Sequence, residues 1–335
     1  MELVKNNVYL RNKAGQAANK MYVNEEVNVS EVFPEIYNIV REKTEIQLDK
    51  VTPETDQVIL NGYINYNILY YTNDSDMVYG IEGEIPFEET LRIGNTDENS
   101  IVDVKMEVDS SNVKLYNSRK FALRAEILIS AVSEGLESIE FPDKMENSRG
   151  MEVLNDTVET MSVVAEQTEN IRIKESVYIP GVKPAADRIV WKELKLKNVT
   201  SRVNDGMINV SGEMYVFIMY LPEEADMPNQ WIETTVDFKD NLEMSEATED
   251  LISFINVTLQ DGKIHLNENE EGENRELSID AVLQLEIKLY KENKTEILMD
   301  IYSPTKNVQT KLKDVCYKKL LVKNASRTKT VKKIE

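Results

Sequence analysis

Two tandem antiparallel β-sandwich-like domains, each with one short helix, are the fold that this 335-residue sequence predicts. Three observations predict it. Apolar residues recur with a period of two, the mark of a half-buried strand. The same pattern returns about 150 residues further on, so one unit is written twice. Asp-Gly pairs stand between apolar-alternating runs, where a tight hairpin turn needs positive φ.

The repeat is anchored by Gly62–Tyr70 (GYINYNILY) lying over Gly212–Tyr220 (GEMYVFIMY); 212 minus 62 gives an offset of 150. The same offset carries Met1-Glu2-Leu3 onto Met151-Glu152-Val153, Glu25 onto Glu175, Pro34 onto Pro184, and Ile39-Val40 onto Ile189-Val190. Later the offset drifts: Phe87 falls on Phe238, and Arg119 with Phe121 on Arg275 with Leu277. An insertion at Asn267–Asn274, replacing the shorter turn at Asn117-Ser118, accounts for most of the drift. The predicted organisation is therefore a first copy over 1–150, a second over 151–303, and a C-terminal segment over 304–335 that reads as the start of a third copy.

Taking the elements in order, Pro34 followed by Ile36, Ile39 and Val40, and Pro184 followed by Ala186, Ile189 and Val190, have the apolar spacing of a one- or two-turn helix. Leu60, Ile64, Tyr66, Ile68 and Tyr70 form the apolar face of a strand, repeated by Val210, Met214, Val216, Ile218 and Tyr220. Gly62 and Gly212 stand inside those strands, where glycine marks a bend, a bulge or a close backbone approach. Asn204-Asp205-Gly206 and Asp261-Gly262 are expected turns. Phe121 to Ile129 and Leu277 to Leu289 alternate again and give the last long strand of each copy.

Composition narrows the function. A net charge of -21 repels nucleic acid phosphates, so DNA and RNA are poor partners. The charge is uneven. Residues 306–335 hold ten basic and two acidic residues, net +8, which leaves 29 of the 39 basic and 58 of the 60 acidic residues to 1–305, net -29. Attraction between the two predicts salt-sensitive self-association. No run reaches the roughly 18 apolar residues that span a bilayer, and the first residues lack an apolar signal core, so a cytosolic protein without membrane insertion is expected. The single cysteine, Cys316, cannot pair within the chain, which fits a reducing compartment.

Catalytic material is sparse. His265 occupies a strand position matched by Lys114 and reads as solvated. There is no phosphate-cradling glycine motif, and zinc, which takes four Cys or His ligands, is excluded in practice. Glu88-Glu89 and Glu223-Glu224 are neighbours on extended chain, so their carboxylates point to opposite faces. Asn267–Gly272 lacks the glutamate that a calcium loop needs at its twelfth position, which is Ser278. No catalytic residue, cofactor or metal ligand is assigned. The candidate structural or interaction residues are Gly62, Gly212, Phe87, Phe238, Glu273 and the matched pair Arg119 and Arg275, each arginine heading a strand as either a loop brace or a partner contact.

Five segments together resemble the SPOCS-domain family of clostridial spore proteins, typified by the SipL coat morphogenetic proteins: Pro34–Val40, Gly62–Tyr70, Ile85-Pro86-Phe87, Gly272–Arg275 and Met299–Ser303. The second copy departs from the pattern with Val236-Asp237-Phe238 in place of Ile85-Pro86-Phe87, and the LysM module of SipL-like relatives does not follow. The resemblance implies a non-enzymatic role in spore coat assembly, in the mother-cell cytoplasm at the forespore surface. It implies binding to other coat proteins, a SpoIVA-like ATPase among them. Two other readings compete with it: a self-polymerising subunit of an exosporium layer or spore appendage, and an enzyme acting on cell-wall glycan.

Overall fold

The computed structural model describes residues 2–146, 150–224 and 227–305. The basic segment 306–335 with Cys316, and most of the expected copy boundary at Ser148-Arg149-Gly150, lie outside the described residues.

Among the described residues, twelve strands form four three-stranded antiparallel sheets in two tandem halves. The first half contains β1 (Glu2–Asn28), β2 (Asn38–Glu54), β3 (Gln57–Tyr71), β4 (Val78–Arg92), β5 (Ile101–Asn117) and β6 (Lys120–Glu146). Its sheets run β2-β3-β4 and β1-β6-β5. The second half repeats the topology with β7 (Glu152–Tyr178), β8 (Ala186–Asn204), β9 (Met207–Pro222), β10 (Gln230–Glu243), β11 (Ile252–Glu268) and β12 (Asn274–Tyr302), ordered β10-β9-β8 and β11-β12-β7.

Each pair of sheets encloses one apolar core. The even positions of β3, from Val58 to Tyr70, face Phe121, Leu123, Ile127 and Ile129 of β6 across the first core. In the second, Val210, Met214, Val216, Ile218 and Tyr220 of β9 face Leu277 through Leu289 of β12, every odd position of which is buried. Each buried aliphatic side chain contributes about 1.5 to 3 kcal/mol of burial. Central strands of this kind hold the rest of the fold in register.

The expected helices do not form. Among the described residues none occurs: Pro34 and Pro184 follow a tight turn in the connection between strands, and the chain enters β2 at Asn38 and β8 at Ala186. A β-bulge explains the misleading spacing. Ile39 pairs with Tyr70 and Arg41 with Leu69, so Val40 is one residue too many, and the second copy does the same between Ile189 and Trp191. An extra residue breaks strict alternation into neighbours that look three and four apart, and β-branched Ile and Val favour the strand.

A second correction concerns Asp261-Gly262, which forms no turn but lies inside β11. Leu194 Cδ1 of β8 crowds the place where a Cβ at Gly262 would stand, so this glycine serves close packing. The turn at Asp205-Gly206 is present, with Gly206 at φ +77°; in the first copy Asp56 takes the same left-handed place at φ +56°. The inserted loop between β11 and β12 turns at Gly272, φ +78°.

Compactness divides the chain into two units. The larger holds Lys13–Gly135 and Val164–Leu289, that is, both cores. The other is made of the described residues of Met1–Asn12, Leu136–Val163 and Tyr290–Glu335. There Asn293 Nδ2 donates to Ser162 Oγ at 2.7 Å, Lys294 pairs with Glu159, and Ser303 Oγ donates to the Gly150 carbonyl at 2.9 Å.

Candidate functional site

The residues singled out in the sequence gather at two places in each copy. The first is a notch on the middle strand. Gly62 of β3 pairs directly with Phe87 of β4, and Gly212 of β9 with Phe238 of β10. The phenylalanine ring lies over the bare glycine: a Cβ on Gly62 would stand 2.9 Å from Phe87 Cζ and overlap the Gln47 carbonyl oxygen, and one on Gly212 would stand 2.7 Å from Phe238 Cζ. The glycine is needed for a close approach. The ring fills the space that the missing side chain leaves, which links the three strands of the sheet.

Pro86 sits beside Phe87, and the second copy has Asp237 there. Because β4 and β10 flank their sheets, a proline without N–H costs no ladder bond on the outer side. Both copies keep one register through this stretch.

The second place is the connection from β1 to β2, residues 29–37, with its counterpart from β7 to β8, residues 179–185. Backbone that leaves a sheet loses its ladder partners, so its carbonyls must find donors elsewhere. Here one arginine supplies them. Arg119 Nη1 donates to the carbonyls of Ser30 (3.2 Å) and Phe33 (2.6 Å) while its Nε faces Glu35. Arg275 Nη1 donates to the carbonyls of Pro180 (3.3 Å) and Lys183 (2.7 Å) while its Nε bonds Glu273.

A tyrosine completes the brace. Tyr70 Oη donates to the Pro34 carbonyl and Tyr220 Oη to the Pro184 carbonyl, each at 3.1 Å. Burial keeps both phenols protonated as donors, with Tyr70 pushed up to about 12, first by desolvation and then by neighbouring Tyr79; Tyr220 is raised by desolvation. Val29 N–H donates to the Arg119 carbonyl at 2.9 Å, and Ile179 N–H to the Arg275 carbonyl at 2.8 Å. Sequence reasoning reached the arginines but not the tyrosine hydroxyls, because Tyr70 and Tyr220 read only as core.

Each braced loop exposes one valine at its turn, with exposed Ser30 and Glu31 beside it in the first copy. Val32 is 74% exposed at one loop tip, and its counterpart Val182 is 95% exposed at the other. Tyr37 beside the first loop and Tyr178 beside the second are also exposed. A loop fixed by four or five hydrogen bonds shows these side chains at little ordering cost to a partner.

The chemical inventory elsewhere is modest. His265 is exposed on β11, as Lys114 is on β5. The carboxyls of Glu107, Glu193 and Asp280 are held below the usual range by hydrogen bonds from Lys105, Lys195 and Arg172, and that of Glu246 by Ser245. No group of three His, Cys, Asp or Glu side chains that could hold a metal lies together among the described residues. In the loop compared with a calcium site, Asn269 Oδ1 accepts from the backbone N–H groups of Glu271 and Glu273 and so orders the turn.

These features define a class: a β-sandwich protein with two copies of one module, each carrying the same notch and the same braced loop. The family model described as SipL, SPOCS domain matches residues 35–116 and again 185–267, that is, most of β2–β5 and of β8–β11. The chain belongs to the SPOCS-domain family of SipL type, with two copies of the domain. No curated protein and no solved structure matches it. The family marks the chain as sporulation-related, and SipL-type SPOCS domains are not known as enzymes.

Proposed function

We propose that this chain is a non-enzymatic spore coat morphogenesis protein that assembles the coat by binding other proteins through its braced loops. It acts in the mother-cell cytoplasm at the forespore surface, with a SpoIVA-like ATPase among its partners. The observation that carries this reading is the brace itself: each copy commits an arginine and a buried tyrosine to fixing one surface loop, and each loop ends on an exposed valine. Rigid apolar tips on a stable scaffold suit docking.

The test is co-purification of the SpoIVA-like protein from sporulating cells with the tagged chain and with Val32→Glu/Val182→Glu. Exposed valines contribute little to stability, so the double variant should melt within about 0.5 kcal/mol of wild type. We expect at least a tenfold loss of the recovered ATPase. Undiminished recovery would remove the loops from the binding surface, and turnover of peptidoglycan that depends on one carboxylate would replace the reading with catalysis.

A further inference from the structure

Within the larger unit the two copies meet at a joint that neither the repeat nor the family explains. The β4 edge of the first copy receives β8 of the second. A Cβ on Gly80 would overlap the Val190 carbonyl oxygen and stand 2.7 and 2.8 Å from its carbonyl carbon and Cα. Only the missing side chain lets the second backbone in. Beside it, Asn229 treats Val78 as a neighbouring strand would: its Nδ2 donates to the Val78 carbonyl and its Oδ1 accepts from the Val78 N–H, both at 2.8 Å. Leu69, Val190, Trp191 and Leu221 are buried around these contacts. The Arg41 guanidinium lies 4.9 Å from the centre of the Trp191 ring, and Lys192 pairs with Glu82 at 2.8 Å.

The strand registers show what stands at the corresponding places of the other copy. Leu69 pairs with Gly80 and Met219 with Trp231; since 219 minus 69 is the repeat offset of 150, Gly80 and Trp231 are equivalent. Likewise Val40 and Val190 are the same bulge residue. Val190 is 3% exposed in the joint and Val40 is 48% exposed outside it. Trp231 is half exposed and held at the edge by Lys183, whose Nζ lies 5.0 Å from the ring centre and donates to the Trp231 carbonyl at 2.5 Å.

We propose that the β4 edge at Gly80 is a docking surface whose partner is the bulged β8-type edge of a second SPOCS copy, and that Trp231 withdraws the same surface from the second copy. The joint therefore forms once, inside the chain, and does not propagate from chain to chain. The bulged edge at Val40 would find its counterpart only on a SPOCS module with a small residue at the Gly80 position. This inference does not depend on the spore role. It separates assembly by partner binding from open-ended polymerisation through the repeat joint.

The experiment uses the full chain with Cys316 replaced by Ser. Spin labels at Glu84 of β4 and Lys195 of β8 should give one narrow distance distribution in the parent protein, and a broadened one in Gly80→Val. Asn229→Ala, which removes two hydrogen bonds without adding bulk, should broaden it too, and circular dichroism verifies the strand content of each variant. In parallel, light scattering at a salt concentration that screens the attraction between the basic segment and the acidic body should show Trp231→Gly gaining mass with concentration while the parent keeps the mass of one chain. Unchanged distance distributions in both joint variants would overturn the proposal. So would equal masses for Trp231→Gly and the parent at every concentration.

Discussion

At the scale of single residues, the pairs Gly62–Phe87 and Gly212–Phe238 carry the sharpest expectations. Gly212→Val puts a branched side chain where Phe238 Cζ would lie 2.7 Å from Cβ, and overpacking of this kind destabilises by about 1 to 3 kcal/mol, read as a shift of the denaturation midpoint at unchanged slope. A neutral result would mean that the ring swings away. The arginine brace is tested by Arg275→Lys, which keeps the charge but cannot reach the Pro180 and Lys183 carbonyls and Glu273 with one planar fork. Protection of the Ile179 amide against hydrogen exchange should fall at least tenfold, while the core amides of β12 keep theirs. Tyr70 supplies a pH dependence. Its phenol is raised from 10 to about 12 by burial, so the folded state favours the neutral form; the stability this represents is fully present below pH 10 and is lost as pH rises toward 12. Two pH units correspond to about 2.7 kcal/mol at the upper end of that window. In Tyr70→Phe that part of the alkaline loss should disappear, while the bond to the Pro34 carbonyl, about 1 kcal/mol, is lost at every pH. An alkaline limb unchanged by the substitution would show that Tyr70 does not titrate late.

At the scale of elements, what was legible in the sequence follows from the physics of alternation. A central strand between two packed sheets has one face wholly apolar, so β3, β6, β9 and β12 could be read residue by residue, down to Ala281 in the middle of β12. The edge strands were less legible, because bulges break the period. A β2 bulge at Val40 and β8 bulges at Asp187 and Val190 imitate helical spacing, and the preceding prolines strengthened the imitation. Asp261-Gly262 misled for a different reason: a turn and a crowded strand both call for glycine, and only the Leu194 side chain from another strand decides between them. The turn that did form makes a test at this scale. Gly206→Ala forces an L-residue to φ +77° between β8 and β9 and should cost about 1 kcal/mol, whereas Asp56→Gly at the equivalent turn should relieve the backbone while losing the bond that the Asn95 N–H donates to the Asp56 Oδ1. A Gly206→Ala protein as stable as wild type would show that the hairpin tolerates another turn type.

At the scale of the whole molecule, the offset of 150 read from the sequence returns in the strand registers and again in the two segments that match the SPOCS domain. The joint at Gly80 was illegible, because it depends on which of twelve strands becomes the neighbour of β4. We propose that the copies divide near residue 150, and limited proteolysis should cut there first; initial cleavage inside 60–130 or 210–290 would contradict that boundary. We propose that the molecule is a scaffold that docks through its two braced loops. The most direct measurement places a photo-crosslinking residue at Val32, at Val182 and, as a control on an exposed strand, at Lys105, in sporulating cells. Adducts with the SpoIVA-like protein or another coat protein are expected from positions 32 and 182 and none from 105. No adduct from either loop, or equal adducts from all three positions, would contradict it.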